Sequence, residues 1–334
     1  MRTPRRILLV KPSSLGDVVH ALPVVAAIRD HWPEAELRWL ILPAWRSLVE
    51  GHPGVSGTIL FPRDRFRGVP GWFRAIAWAG TLRDWKPDLA IDLQGLLRSA
   101  LFCRISGAPR IIGLSDAREG ARFLHSESVP VDKSGHAVRR YLSVLKALGM
   151  PGPVTPRFDL PQGRLPDGFD PSVPYLVLHP YARGRGKSLN ARLIRAFLRG
   201  SEGRRVIIAG RGEVTGGVPA DAEDWSNRTE LPELIALLRG ASFVVSSDSG
   251  PMHLAAALHP ERTLAVHLWS DPLKVGPFSG GSHVWKNGRL TQVSSLDESW
   301  RPEGPAPTED QMESLGRFAS EYAKSGRGVT GNPS

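Results

Sequence analysis

Along the chain, short apolar runs alternate with longer stretches in which apolar residues recur every three or four positions. Residues 7–10, 37–42, 58–61, 89–92 and 111–114 read as strands of a buried sheet. Between them, Val18, Leu22, Val25 and Ile28 recur at helical spacing, with Pro23 expected to kink that helix or to sit in the first turn of its main part. Residues 136–148 read as one amphipathic helix with Val138, Tyr141, Leu142, Leu145 and Leu148 inward. The pattern then restarts. It predicts strands at 175–179, 205–209, 243–245 and 263–269, helices at 190–198 and 231–240, and a turn at 210–213. Alternation of this kind predicts parallel α/β sheets, one in each half.

The two halves are separated by a proline-rich stretch with few helical signals. The expected division is 1–155, a linker at 156–173, 174–325, and a disordered tail at 326–334. Residues 63–85 are dense in arginine and aromatics. Trp72, Phe73, Ile76 and Leu82 can share one helical face while Arg65, Arg67 and Arg74 stay wet. Such a segment is either an ordinary amphipathic surface helix or a basic flap that meets a phosphorylated lipid at a membrane.

A length of 334 residues fits two domains, and a single cysteine, Cys103, excludes a disulfide framework or a cysteine-rich metal site. Cys103 is expected in the core. No apolar run is long enough to span a bilayer, and the start MRTPRRILLV turns polar without a signal-peptide core, so a soluble cytoplasmic protein is expected. The formal charge of +10 implies an anionic partner. The arginines are scattered, with no aromatic RNA-binding strand, zinc-finger spacing or basic heptad arm, which argues against nucleic acid as that partner.

The most informative stretch is 243–258, FVVSSDSGPMHLAAAL. It reads as a strand, a tight turn and a helix with Pro251 in its first turn. Asp248, Ser249 and Gly250 bring short side chains and backbone N–H groups to the positive end of a helix dipole, which suits a diphosphate. Asp248 or Ser249 could instead simply cap the helix. His253 lies one turn further on, near the mouth of the same pocket. In the first half, 13–17 (SSLGD) follows the first strand. Asp17 there can serve as a general base if burial keeps its pKa above the ordinary value of about 3.9, or it can cap the helix. Gly16 leaves room for a ligand, and His20 could hold the carboxylate. Lys187, in a basic loop after the 175–179 strand, can reach a phosphate. Gln94 and Arg98 follow the 89–92 strand, at the sheet edge where ligands bind in open α/β folds.

Several chemistries are excluded by missing motifs. The chain has no D-x-D for a metal–diphosphate clamp, no G-x-G-x-x-G after a strand, no P-loop and no G-x-S-x-G elbow.

Taken together, KPSSLGDVVH at 11–20, DLQGLLRS at 92–99, HAV at 136–138 and DSGPMHLAAAL at 248–258 resemble the family 9 glycosyltransferases, the ADP-heptose:lipopolysaccharide heptosyltransferases, in motif order over most of the chain. The first loop is more similar to the heptosyltransferase I branch than to the II branch. The resemblance implies a GT-B fold, two Rossmann-like doubly wound domains facing a central cleft. It implies inverting, metal-independent transfer of heptose from ADP-heptose to a Kdo-lipid A acceptor of the inner core, at the cytoplasmic face of the inner membrane, with no cofactor. By the same resemblance Asp17 matches the base, Lys187 the donor-phosphate lysine, and Asp248 and His253 the donor-sugar and diphosphate contacts. Ser249, Gly250 and Pro251 are expected beside them on the donor side, and Ser14, Gly16, His20, Arg63, Gln94, Arg98 and Arg118 are the candidate acceptor residues, with Arg65 and Arg122 as further basic contacts for acceptor carboxylates and phosphates. The chain departs from the family at Tyr181-Ala182, where a threonine is usual, and at Leu189, where a tryptophan is usual. The short, glycine-rich 212–228 stretch leaves the adenine pocket undefined. A different nucleotide sugar, a nucleotide-sugar binding module without a working base, and a charge-driven nucleic-acid binder remain the alternatives.

Overall fold

A computed structural model describes residues 3–66, 68–150, 152–182 and 188–325, without the side chains of 68, 69, 72 and 76. Lys187 and the 326–334 tail lie outside the described residues. The chain divides into two compact units, Met1–Pro161 and Gln162–Ser334.

The first unit runs β1 (Arg6–Val10), α1 (Leu15–His31), β2 (Glu36–Ile41), α2 (Arg46–Val49), β3 (Gly57–Leu60), α3 (Gly68–Asp84), β4 (Leu89–Asp92), α4 (Leu97–Ile105), β5 (Arg110–Leu114), β6 (Glu127–Val129), α5 (Ala137–Leu142) and α6 (Val144–Ala147). Its sheet is parallel, in the order β3-β2-β1-β4-β5-β6. That is the doubly wound order that reverses beside β1, so the β1–α1 and β4–α4 loops share the ligand-binding edge. Ile7 to Val10 are fully buried because a central parallel strand is covered on both faces. α1 is buried all round from Val18 to Ile28, which lets it continue through Pro23 rather than break there.

The second unit runs β7 (Tyr175–His179), α7 (Ala191–Gly200), β8 (Arg205–Gly210), β9 (Glu223–Ser226), α8 (Leu231–Gly240), β10 (Phe243–Ser247), α9 (Gly250–Leu258), β11 (Thr263–Val266), α10 (Pro272–Val275), β12 (His283–Lys286), β13 (Arg289–Gln292) and α11 (Glu309–Lys324). Its sheet order, β13-β12-β11-β10-β7-β8-β9, repeats the first plan and adds an antiparallel edge strand. Phe197, Ile208, Phe243 and Leu315 belong to one core beneath α7 and α11.

Two expectations change. The 136–148 helix is two short helices joined at Ser143, with His136 as N-cap. On α3 Leu82 is buried as expected but Phe73 points out to solvent, and Trp72 and Ile76 lie outside the described side chains. The 156–173 stretch is tied down along its length: Arg157 pairs with Asp30 and Asp159, Arg164 pairs with Glu233, and Phe169 packs edge-on against Tyr175. Cys103 is buried as expected.

Candidate active site

Asp17 is the third residue of α1, one turn past the carboxyl end of β1. Its Oδ2 accepts the Ser14 backbone N–H at 3.1 Å and the Ser14 hydroxyl at 2.8 Å. Its Oδ1 accepts the Tyr141 hydroxyl at 2.9 Å and lies 3.6 Å from Nζ of Lys11. So the capping role is real, yet it occupies only one oxygen. The side chain remains 38% exposed while that of Lys11 is only 4% exposed. Burial pushes the Asp17 carboxyl up, but Lys11, the two Ser14 bonds and Tyr141 outweigh it and hold the group below its ordinary value. This corrects the expectation that burial would raise it: the site keeps an ionised carboxylate rather than a poised acid. Burial in turn lowers Lys11, against the raising influence of Asp17 and Asp92, and drives the Tyr141 phenol well up.

Of the predicted neighbours, Ser14 is the N-cap, Gly16 is buried in the first turn, and His20 is buried with its ring 5.3 Å from that of His136. Beside this loop lies a cavity of about 150 Å³ lined by Ser13, Phe61, Arg63, Gln94, Arg98 and Phe102, among others. It joins three predicted acceptor residues. Gln94 Oε1 accepts the Ser13 N–H at 3.4 Å, and the Arg98 guanidinium lies 5.3 Å from the Phe61 ring centre. Arg118 does not line this cavity; it is exposed, and its backbone N–H goes to the Gly95 carbonyl. Arg65 and Arg122 are likewise exposed and outside the lining.

The β4–α4 loop is fixed by Asp92, which is fully buried. Its carboxylate accepts the N–H groups of Gln94 and Gly95 and the Ser99 hydroxyl, each at 3.0 Å, and His125 Nε2 is also 3.0 Å away. The His125 ring occupies the space a side chain on Gly113 would need, since a Cβ there would fall 2.1 Å from it.

In the second unit, Ser249 is the N-cap of α9 but makes no side-chain capping bond; its hydroxyl donates to Ser247 O at 3.1 Å. Asp248 does not cap either. Its Oδ2 accepts the Ser270 hydroxyl, whose oxygen lies 2.8 Å from Nδ1 of buried His267. Neither of these two side chains takes the Gly250 N–H at the start of α9, the backbone donor an anion could use there; Pro251 has no N–H, and that of Met252 goes to the Ser249 carbonyl at 3.1 Å. His253 is buried one turn along. Near β8, the Tyr181 ring lies over Gly210 and Gly212, where any Cβ would collide with His179 or Tyr181, and the Tyr181 hydroxyl meets Ser226.

Sequence reasoning passed over Lys11, Tyr141, His267 and Ser270. Lys11 stood inside a recognised motif. Tyr141 read as a core residue, and nothing local to Ser270 signals its bond to Asp248.

Two doubly wound Rossmann-type sheets, each with a polar strand–helix loop at its carboxyl edge, make up the GT-B fold that the solved heptosyltransferase structures share. The family description "Glycosyltransferase family 9 (heptosyltransferase)" matches residues 76–199 and 209–298. The chain is 32% identical over 277 residues to lipopolysaccharide heptosyltransferase 1 of Pseudomonas aeruginosa, covering 76% of each. It is 24% identical to E. coli heptosyltransferase WaaC with ADP, with a TM-score of 0.75 over 95% of this chain and 99% of that one. With WaaC bound to ADP-2-deoxy-2-fluoro heptose the figures are 25% identity and a TM-score of 0.70 over 84% and 93%. This chain belongs to glycosyltransferase family 9, the heptosyltransferases, and is an enzyme of that class.

Proposed function

We propose that this protein transfers heptose from ADP-heptose to a Kdo-type sugar of lipid A in the lipopolysaccharide inner core, with inversion and without a metal. The observation that carries the reading is the Asp17 carboxylate. It is ionised, partly exposed, and one loop away from a cavity lined by Arg63 and Arg98. Relatives named for lipopolysaccharide and a solved relative holding an ADP-heptose analogue support the choice of acceptor and donor.

In this reading, the acceptor hydroxyl attacks the anomeric carbon as the bond from that carbon to the diphosphate oxygen breaks, and the proton passes to Asp17. A carboxylate held at low pKa is a weak base toward a neutral alcohol. It becomes competent as the hydroxyl loses electron density to the new bond, so proton transfer comes late in the transition state. ADP leaves with the negative charge, which the positive N-terminal end of α9 with its Gly250 N–H, together with Lys187 and His253, would stabilise. Asp248, held by Ser270, would orient the sugar. Arg63 and Arg98 would take acceptor carboxylates or phosphates through charge-assisted hydrogen bonds.

The test is ADP release from ADP-heptose and de-acylated Kdo-lipid A in EDTA, beside Asp17→Ala. Turnover in EDTA that disappears in the variant supports both the base and the metal-free step. Dependence on added divalent cation, or full activity in Asp17→Ala, rejects the corresponding part.

A further inference from the structure

The outer face of α4 carries Leu97, Leu101 and Ile105 at positions i, i+4 and i+8, a single stripe along the helix. All three are exposed, by 42, 42 and 36%. The 3-10 turn Ala121–Leu124 packs beside α4 and presents Phe123, 74% exposed. Scattered apolar residues on a surface are ordinary; three in one helical stripe, with a fourth on the turn packed beside that helix, are not. Nor does the stripe belong to the fold's own packing, because the opposite face of α4, Ala100, Phe102 and Cys103, already fills the core.

Arginines surround the stripe. Arg98 and Arg104 flank it on α4, and the Arg122 guanidinium lies 4.8 Å from the Phe123 ring centre. The Arg83 stem lies within van der Waals reach of the position a Cβ on Gly107 would take, just past the end of α4. Glu119 is tied up within the fold: its carboxylate accepts the Leu97 N–H at 3.2 Å and joins the 3-10 turn's loop to α4. An apolar stripe with guanidinium groups at its edges matches the interface of an anionic bilayer, where side chains of Leu, Ile and Phe enter the acyl boundary and arginines meet phosphates. A protein partner would be expected to answer four arginines with a defined acidic patch; a bilayer needs no such pattern.

We infer that the outer face of α4, together with Phe123, is the surface by which this protein sits on an anionic lipid bilayer. The inference deepens the lipid-acceptor reading above and rests on it for its purpose: Arg98, Ser99 and Phe102 of the same helix line the candidate acceptor cavity. No helix among the described residues is long and apolar enough to cross a membrane, so the contact is peripheral.

The experiment is co-sedimentation of the full chain with phosphatidylcholine vesicles and with vesicles containing phosphatidylglycerol, comparing wild type with a Leu101→Gln/Ile105→Gln/Phe123→Ser variant. Circular dichroism checks that the variant is folded, which exposed positions allow. Wild type should bind the anionic vesicles, and the variant should bind about tenfold or more weakly. Turnover of the water-soluble, de-acylated acceptor should stay within about twofold, because none of the three residues lines the cavity. Turnover of the acylated acceptor embedded in anionic vesicles should fall with binding. Equal vesicle binding by variant and wild type, or no anionic-vesicle binding by wild type, overturns the inference. If wild type binds vesicles through these residues yet turns over no acceptor in either form, the surface stands and the proposed reaction fails.

Discussion

The phenolic hydroxyl of Tyr141, on α5, donates to Oδ1 of Asp17, the third residue of α1, at 2.9 Å across 124 positions of sequence. Together with Lys11 this bond faces the oxygen that Ser14 leaves available, so the charge of the carboxylate is set by groups from the loop after β1 and from α5 as well as by its own turn. Removing a donor from an ionised acceptor favours the protonated form. Tyr141→Phe should therefore move the acid limb of the pH–rate profile to higher pH and lower the rate several-fold in the acid range. A limb that stays in place would show that Asp17 is not the group titrating.

The double role of Asp17 can be separated by Asp17→Asn. The amide oxygen can still accept the Ser14 N–H, so the capping contribution of roughly 0.5–2 kcal/mol is largely kept. The base is gone. Turnover should drop by about 10²–10⁴-fold, the usual worth of a positioned acid–base group, with the thermal midpoint nearly unchanged. A variant that loses its stability but keeps its rate would mean that the residue only caps α1.

In the second unit the corresponding lever is Ser270. Its hydroxyl links Asp248 to His267, and its carbonyl accepts from Nζ of buried Lys286 at 2.8 Å. Ser270→Ala removes the first link and leaves the backbone bond in place. Asp248 then gains rotamer freedom. The KM for ADP-heptose should rise several-fold, with the acceptor KM and the melting temperature steady. An unchanged donor KM would exclude Asp248 from donor contact through this geometry.

Much of this site could be read from the chain. The 13–17 loop and the 248–253 turn fall where a strand run meets a helical period, and both lie at the carboxyl edges of parallel sheets, the edges that bind ligands. The partners that tune them could not be read. Lys11, Tyr141 and Ser270 act across loops or over long separations, and no local period encodes such a bond. The edge elements were missed for a different reason. β6 and β9 are only three and four residues long, too short to show alternation. β12 and β13 are joined at Asn287-Gly288, both with positive φ, a hairpin signal present in the sequence and passed over. α11 is an amphipathic helix capped by Thr308 and Gln311. It packs so tightly on α7 that a Cβ on Gly200 would fall 1.9 Å from the Glu313 carbonyl oxygen, a fit no one-dimensional pattern contains. Arg118, named for its charge as a candidate acceptor contact, is exposed and stands outside this cavity, a placement its local sequence does not reveal.

Two buried histidines, one in each unit, contribute to the response of stability to acid. His52, in the first unit, and His179, in the second, are each lowered by burial from 6.5 to about 4. For His52 the nearby Asp159 carboxylate, 4.0 Å from Nε2, opposes the shift without reversing it. His179 Nδ1 lies 2.8 Å from the Ala209 carbonyl at the carboxyl end of the second sheet. Between pH 6.5 and 4 the unfolded chain binds protons that the folded chain refuses, so stability is fully present above 6.5 and is lost as pH falls toward 4. Each histidine can account for up to about 3 kcal/mol across that window. Urea unfolding at steps from pH 7 to 4.5 should show midpoints that fall steadily, and His52→Asn should flatten the slope for the first unit while leaving that of the second. A midpoint independent of pH over this range would mean that the folded protein accepts protons at both rings.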